Sequence, residues 1–430
     1  MTARSATIGH VLGLTCLICG RRFDPGDVTY VCPDHGDDGV LDVVYDHERV
    51  RDGWSRADLA LSREPSMWRY RPLLPVTASA PVPPLRIGWT PLYPAPRLAA
   101  GLGIRHLWVK DEGGQPTGSL KDRASAMAVV KAEEVGAATL TTASTGNAAA
   151  ALAGVCASVG RRNVIFVPAT APQAKIVQLL AFGSTVLLVD GSYDEAVELC
   201  LRAAERFGWY NRTTGYNPYM SEGKKTAAFE IAEQLDWEVP DAVVVSVGDG
   251  CIIGGLHKGF LDLLALGWIE RMPRLIGIQA EGSAFLAEAW ERGEDVVTKS
   301  RIDAHTIADS ISAGLPRDRI KAMRAVVETG GAFVRVDDDA ILAAIPVLAR
   351  SCGVFAEPAA AAAYAGLEVA VAGGIVDPGE RVVVMSTGTG LKDVPAALRA
   401  VERSGLGPHR VVPELTDVER ALAGDAGRGA

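Results

Sequence analysis

The chain has 430 residues, 48% of them apolar, which is enough for two or three domains with full cores and excludes an intrinsically disordered protein. Its 43 Lys and Arg against 52 Asp and Glu give a net charge of -9, which disfavours nonspecific contact with nucleic acid. No stretch approaches the ~20 consecutive apolar residues of a membrane span, and no basic start leads into an apolar run, so neither a membrane partner nor a secretory signal is expected. Seven cysteines, three of them within the first 32 residues, suit a reduced cytoplasm better than a disulfide framework.

Residues 1–50 contain Cys16-Leu-Ile-Cys19-Gly and Cys32-Pro-Asp-His35-Gly. Two such knuckles bring four N/S ligands, Cys16, Cys19, Cys32 and His35, to tetrahedral zinc. Four protein ligands leave no open position, so the role would be structural; the alternative is a metal-free remnant. Residues 51–95 are mixed, with a proline-rich connector over 78–84 and then Gly88-Trp-Thr-Pro-Leu92. A short strand, 107–110, feeds the stretch 111–125: Asp-Glu-Gly-Gly-Gln-Pro-Thr-Gly-Ser-Leu-Lys-Asp-Arg-Ala-Ser. This reads as a polar, glycine-rich loop capping a helix, with Lys121 in the first turn. A cation is disfavoured there. Either Asp122 offsets a solvated charge, or the amine is meant to be neutral and condensed with an aldehyde cofactor.

From 124 onward β-rich runs at 138–142, 163–167 and 185–189 alternate with helical segments at 148–159, 173–182 and 193–207, which predicts βαβ units and a parallel sheet. Such sheets bind ligands at the carboxyl ends of their strands. Ser144, Thr145, Gly146 and Asn147 lie between strand and helix, where hydroxyls and backbone amides suit an α-carboxylate; an ordinary helix cap is the bland alternative. The strand 241–247 leads into Gly248-Asp-Gly-Cys-Ile-Ile-Gly-Gly255, a backbone-amide cradle for an anion. A dinucleotide fingerprint would need glycine where Ile253 stands, though Glu281 closes the next strand. The 332–336 strand, a helix over 337–351, an alanine-rich helix opened by Gly353–Ala359, and the 381–385 strand before Ser386-Thr-Gly-Thr-Gly-Leu-Lys-Asp393 complete the pattern. Residues from about 404 read as a poorly ordered polar tail.

Pro116-Thr-Gly-Ser-Leu-Lys-Asp-Arg123 resembles the lysine motif of the fold-type II pyridoxal phosphate (PLP) enzymes, with Leu120 in place of the usual Phe. Gly88–Leu92, Ser144–Asn147, residues 210–226 and Ser386–Asp393 resemble threonine synthase segments, as does Gly353–Ala359, which a capped core helix explains equally well, and archaeal members carry an N-terminal four-ligand knuckle. The resemblance spans roughly residues 10–395. It implies an α/β fold of the tryptophan synthase β-like kind. Two open-sheet domains are expected, a large one over 51–125 and 236–403 and a small one over 126–235, with a zinc-ribbon-like segment at 1–50 and a tail at 404–430. It further implies PLP as cofactor, Lys121 as its Schiff-base lysine and α-proton base, Asn147 against its phenolic oxygen, Gly248, Asp249, Gly250, Cys251 and Ile252 around its phosphate, and Thr387 against its ring nitrogen.

The implied reaction is elimination or replacement on the side chain of a small amino acid, at the β carbon, in a cytoplasmic homodimer. Four departures weigh against O-phosphohomoserine, the threonine synthase substrate. Met220 stands where the family has the phosphate-binding Arg, Thr214 where it has Asn, Ala148 for Thr, and Thr389 for His. Met cannot fork onto an oxyanion. Authentic threonine synthase is the alternative reading. A non-catalytic PLP-binding protein is another, opposed by Lys121, Asn147 and Thr387. A dinucleotide oxidoreductase fits least.

Overall fold

A computed structural model describes residues 9–171, 173–405 and 407–425. Strands β1 (Val11–Cys16), β2 (Arg22–Phe23) and β3 (Leu41–Tyr45) form a small antiparallel sheet in the order β2-β1-β3. The chain then lays down β4 (Leu92–Pro94) and β5 (His106–Asp111), leaves for a second sheet of β6 (Thr139–Ala143), β7 (Arg162–Pro168), β8 (Thr185–Val189) and β9 (Tyr210–Asn211), and returns with β10 (Ala242–Ser246), β11 (Arg274–Ala280), β12 (Ala332–Val336) and β13 (Arg381–Ser386). The six-stranded sheet runs β12-β11-β10-β13-β5-β4, parallel except for the β4 edge; the four-stranded sheet runs β8-β7-β6-β9, all parallel. This is the expected α/β arrangement. The central strands read as continuous valine and isoleucine runs because helices cover both faces: Val243, Val244 and Val245 of β10 are fully buried.

The helices follow the sequence pattern closely. The lysine loop ends where the helix Lys121–Glu134 begins, so Lys121 is its first residue. The helices Asn147–Ser158 and Cys251–Ala265 start directly after the Ser144 loop and the glycine loop. The alanine-rich helix is Pro358–Ala372, with proline at its first position and Glu357 as N-cap. One expectation fails: the tail from 404 contains a helix, Leu415–Asp425, whose Leu415, Val418 and Leu422 recur at helical spacing and are exposed. Of the proposed segments, residues 1–8 and 426–430 lie outside the described residues.

The register places the functional loops. β13 pairs with β5 so that Ser386 faces Asp111. The loops beyond them are stitched together: Leu120 donates its N–H to the Thr387 carbonyl at 3.0 Å and Thr389 donates to Gly118 at 3.0 Å. Gly118 adopts φ +83° there, a conformation that favours glycine.

Candidate active site

Beneath the lysine loop lies a buried set of four charges. Arg123 donates from Nε and Nη2 to Glu112 (2.8 and 2.7 Å) and from Nη1 and Nη2 to Glu230 (2.5 and 2.7 Å), and Lys110 donates to Glu230 at 2.7 Å. All four side chains are 0% exposed. Two cations balance two anions, and Thr90 of the Gly88–Leu92 segment adds a hydroxyl to Glu112 at 2.7 Å. Such a set is tolerable inside a protein only when every member is paired. It ties β5, the loop before β4 and the helix Thr226–Gln234 to the helix that starts at Lys121.

Asp122 does not offset the Lys121 charge. It is buried and turned back into the loop, where it accepts the Thr117 N–H at 2.7 Å and the Thr117 hydroxyl. Burial, partly opposed by these bonds, pushes its carboxyl up to about 6. Lys121 makes no ion pair among the described residues. Burial first, with the Arg212 charge adding to it against the pull of Cys251, Asp249 and Glu357, holds its amine below the ordinary lysine range. A lowered lysine is the form that acts as nucleophile and base.

Lys121 lines a cavity of about 800 Å³ between the carboxyl ends of the two parallel sheets. Every cofactor and substrate residue expected from the sequence borders the same cavity: Ser144, Thr145, Gly146 and Asn147 after β6; Gly248, Asp249, Gly250, Cys251 and Ile252 after β10; and Thr387 after β13. Three helices begin at this cavity, at Lys121, Asn147 and Cys251, and none has a side-chain cap. At the Lys121 helix the Asp122 and Arg123 N–H groups already donate to the Ser119 and Leu120 carbonyls, whereas the first N–H groups at Asn147 and Cys251 are available to anions. Gly250 takes φ +95°, and a Cβ there would stand 2.7 Å from the Ala322 Cβ and 2.8 Å from the Asp318 carbonyl, so a bare backbone is required. The Ser246 hydroxyl, buried without a hydrogen-bond partner, borders the cavity at the entry to the same loop. An uncapped glycine cradle, an orphaned hydroxyl and a low-pKa lysine form a donor set that fits a phosphorylated aldehyde.

Sequence reasoning passed over two residues here. Glu357, 4% exposed, faces the cavity and accepts from the Asn147 amide at 2.8 and 3.0 Å, which orients that amide. Burial, opposed by Asn147 and Lys121, raises its carboxyl. Its only signal was the Glu-Pro-Ala helix start. Arg212, 1% exposed, also borders the cavity; it lies in the 210–226 segment, but sequence reasoning assigned it no role. Behind the wall, Lys224 is fully buried, and its ammonium has no hydrogen-bond partner among the described residues. Burial, opposed by Cys251 and reinforced by Lys121 and Arg212, brings it down to about 8.

Away from the cavity, the ligand atoms of Cys16, Cys19, Cys32 and His35 all lie within 4.8 Å of one another. His35 Nδ1 is 3.8 Å from the Cys16 Sγ and 3.5 Å from the Cys32 Sγ. Tetrahedral zinc puts such ligand atoms about 3.5–3.8 Å apart, so the set fits the metal. The next residues reach the cavity: Asp37 and Asp38 border it, and Asp38 pairs with Arg319 at 2.5 Å.

Comparison with known proteins agrees with this geometry. Residues 84–388 match the family of pyridoxal-phosphate dependent enzymes. The chain is 38% identical to a threonine synthase of Methanocaldococcus jannaschii over 95% of its length and 98% of that protein's. It is 39% identical to a threonine synthase of Methanosarcina acetivorans over 96% and 99%. Among solved structures it resembles threonine deaminase isoform 2 of Solanum lycopersicum, at 25% identity and a TM-score of 0.63 over 74% of this chain and 88% of that one. Maize serine racemase shares the fold, with a TM-score of 0.60 at 22% identity over 73% and 92%.

Proposed function

The chain belongs to the pyridoxal-phosphate dependent enzyme family, and we propose that this threonine synthase-like member eliminates or replaces a substituent on the side chain of a small amino acid, at the β carbon. The observation that carries the reading is Lys121. Among the described residues its amine stands without an ion pair at a helix start with no side-chain cap, in a cavity whose other two helix starts are free to take a phosphate and a carboxylate.

When bound, the cofactor supplies an aldehyde for amines and a ring that draws electrons from the α carbon. Lys121, Asn147, Gly248–Ile252 and Thr387 would hold it. Lys121 would take the α-proton at Nζ, a role favoured by the burial that lowers its amine from the ordinary lysine range. The Ser144 hydroxyl and the N–H groups of the Asn147 helix would orient the substrate carboxylate. The raised Glu357 carboxyl, held by Asn147, is placed to exchange a proton at the same cavity. A hydroxyl at Thr387 rather than an acid would leave the ring nitrogen unprotonated, which suits elimination better than transamination.

The two-domain division, 51–125 with 236–403 and 126–235, would place the cavity between a large and a small unit. A cytoplasmic homodimer follows from the resemblance and the cysteine usage. Among the described residues no helix is long and apolar enough to cross a membrane.

Identity over nearly whole chains with two threonine synthases favours a second reading, O-phosphohomoserine converted to threonine. Titrating the purified protein with O-phosphohomoserine, serine, threonine, O-phosphoserine and O-acetylserine separates the two by visible absorption and product analysis. A spectral change with β-substituted amino acids supports the first. Phosphate and threonine from O-phosphohomoserine support the second. No spectral response to any of them would overturn both.

A further inference from the structure

Cations border the cavity on several sides, and most have a partner. Lys175 pairs with Asp309 at 2.6 Å, Arg301 with Asp194 at 2.5 Å and Arg319 with Asp38 at 2.5 Å. Arg317 makes no ion pair among the described residues but is partly open to solvent, which supplies its counterions. Lys121 is the amine already discussed. Arg212 remains. It is 1% exposed, and its Nε donates to the Ser125 hydroxyl (3.2 Å), Nη1 to the Thr214 hydroxyl (3.1 Å) and Nη2 to the Lys121 carbonyl (3.4 Å). All three acceptors are neutral, and among the described residues no carboxylate pairs with it. Burial brings its guanidinium down to about 10 despite the pull of Cys251 and Asp122. A guanidinium sealed from water without an anion is costly, and a ligand that supplies the anion recovers that cost.

Two anions of the expected ligands already have hosts, the phosphate at the glycine loop and the α-carboxylate at the Ser144 loop. Arg212 directly follows β9, which pairs with β6, and β6 delivers the Ser144 loop. The guanidinium stands at the start of the Lys121 helix, where Ser125, Thr214 and the Lys121 carbonyl accept its bonds, on the side of the cavity also lined by Thr213 and Thr214. Three of its five N–H donors are engaged, and two are left for a forked contact with an oxyanion. Asp249 shares the cavity wall, and one of its carboxylate oxygens accepts the Arg317 backbone N–H at 3.2 Å.

Met220, which stands where the resemblance places a phosphate-binding arginine, cannot supply this contact. It is 0% exposed, packs in the core that includes Met127, Val130 and Tyr45, and does not border the cavity.

We propose that Arg212, aligned by Ser125 and Thr214, is the specificity residue of this site and binds an oxyanion carried on the substrate side chain: a phosphate ester, sulfonate or carboxylate. This rests on the reading of the Lys121 cavity as an amino-acid site. The test is a visible-absorption titration of the cofactor-loaded protein with O-phosphoserine, cysteate and aspartate against O-acetylserine, serine and asparagine. The native chain should bind the anionic members about 10- to 100-fold more tightly, the range of a charge-assisted bond. Arg212→Met should erase that advantage while leaving the neutral members unchanged, and Arg212→Lys should keep part of it. Should Arg212→Met not fold, judged by circular dichroism, Thr214→Val carries the test. Loss of one aligning bond should weaken anionic binding about 2- to 10-fold, and unchanged binding overturns the proposal.

Loss of cofactor affinity in Arg212→Met with the anionic preference intact would reassign the residue to the cofactor phosphate and overturn it. Binding of neutral amino acids with no preference for anionic ones would overturn it while leaving the enzyme reading in place. A protein that answers no amino acid would overturn both.

Discussion

Two groups of charge, one fully buried and one buried or half-buried at the cavity, meet on the helix Lys121–Glu134 and behave differently. Arg123, Glu112, Glu230 and Lys110 are fully buried and mutually paired at 2.5–2.8 Å. Lys121, two residues from Arg123, and its neighbours Arg212 and Lys224 have no ion pair among the described residues. The first group shows what this protein does with charge that only has to hold the fold: it neutralises it internally. The second leaves positive charge uncompensated where a cavity opens. Unpaired buried charge marks where a ligand is expected, because its cost is recovered only when the ligand arrives.

Removing the unpaired amine should have the largest effect. Lys121→Ala should lower kcat by at least about 10²–10⁴-fold, the share of a positioned proton-transfer group alone. Its circular dichroism should stay native. Borohydride reduction followed by peptide mass mapping should place the cofactor on Lys121 in the native chain. Retained turnover in the variant would remove the distinction between the two groups.

Breaking the paired group should act on stability instead. Glu230→Gln leaves Arg123 and Lys110 to share one carboxylate and should cost about 3–5 kcal/mol in urea unfolding. Arg123→Met combined with Glu230→Leu leaves the opposite charges of Lys110 and Glu112 and should cost less than the two single changes summed.

The same group predicts a pH dependence. Burial raises the Glu230 carboxyl, but Arg123 and Lys110 outweigh it and hold it down to about 2, against an ordinary 4.5. A carboxyl lowered on folding contributes stability that is complete above its unfolded value and lost as pH falls through its folded one. Thermal unfolding should therefore weaken between pH 4.5 and about 2, by up to roughly 3 kcal/mol from this residue. A flat profile across that window would deny the pairing.

The mildest perturbation of the cavity comes from the metal site. Cys19→Ser should abolish zinc in atomic emission and open β1–β3 to hydrogen exchange. It should lower kcat less than any change above, since only Asp37 and Asp38 of that segment border the cavity.

The motif-bearing loops were legible because each follows a strand, and a parallel sheet gathers the carboxyl ends of its strands at one edge. Lys121 was legible as an anomaly, a cation at a helix start, but its two explanations could be separated only by seeing Asp122 bonded to Thr117. Glu357 was passed over because nothing local reveals that Asn147, 210 positions earlier, donates to it. The helix Leu415–Asp425 was missed because its surroundings are polar and rich in glycine and proline.

The sequence by itself pointed to an α/β fold through its alternation of strands and helices and to a four-ligand Cys/His set through its spacing, while the cofactor chemistry came from the resemblance of the lysine motif to the PLP enzymes. Tertiary structure decided which charges are paired and which face a ligand. Met220 was recognisable as a substitution from the chain alone, but only packing puts it in the core, out of reach of the cavity. Arg212 was given no role from the chain alone, and only the pairing of β9 with β6 brings it to the start of the Lys121 helix at the cavity. The physical reason is that charge compensation is a short-range property in space, and the residues that supply or withhold it lie up to 281 positions apart in the chain.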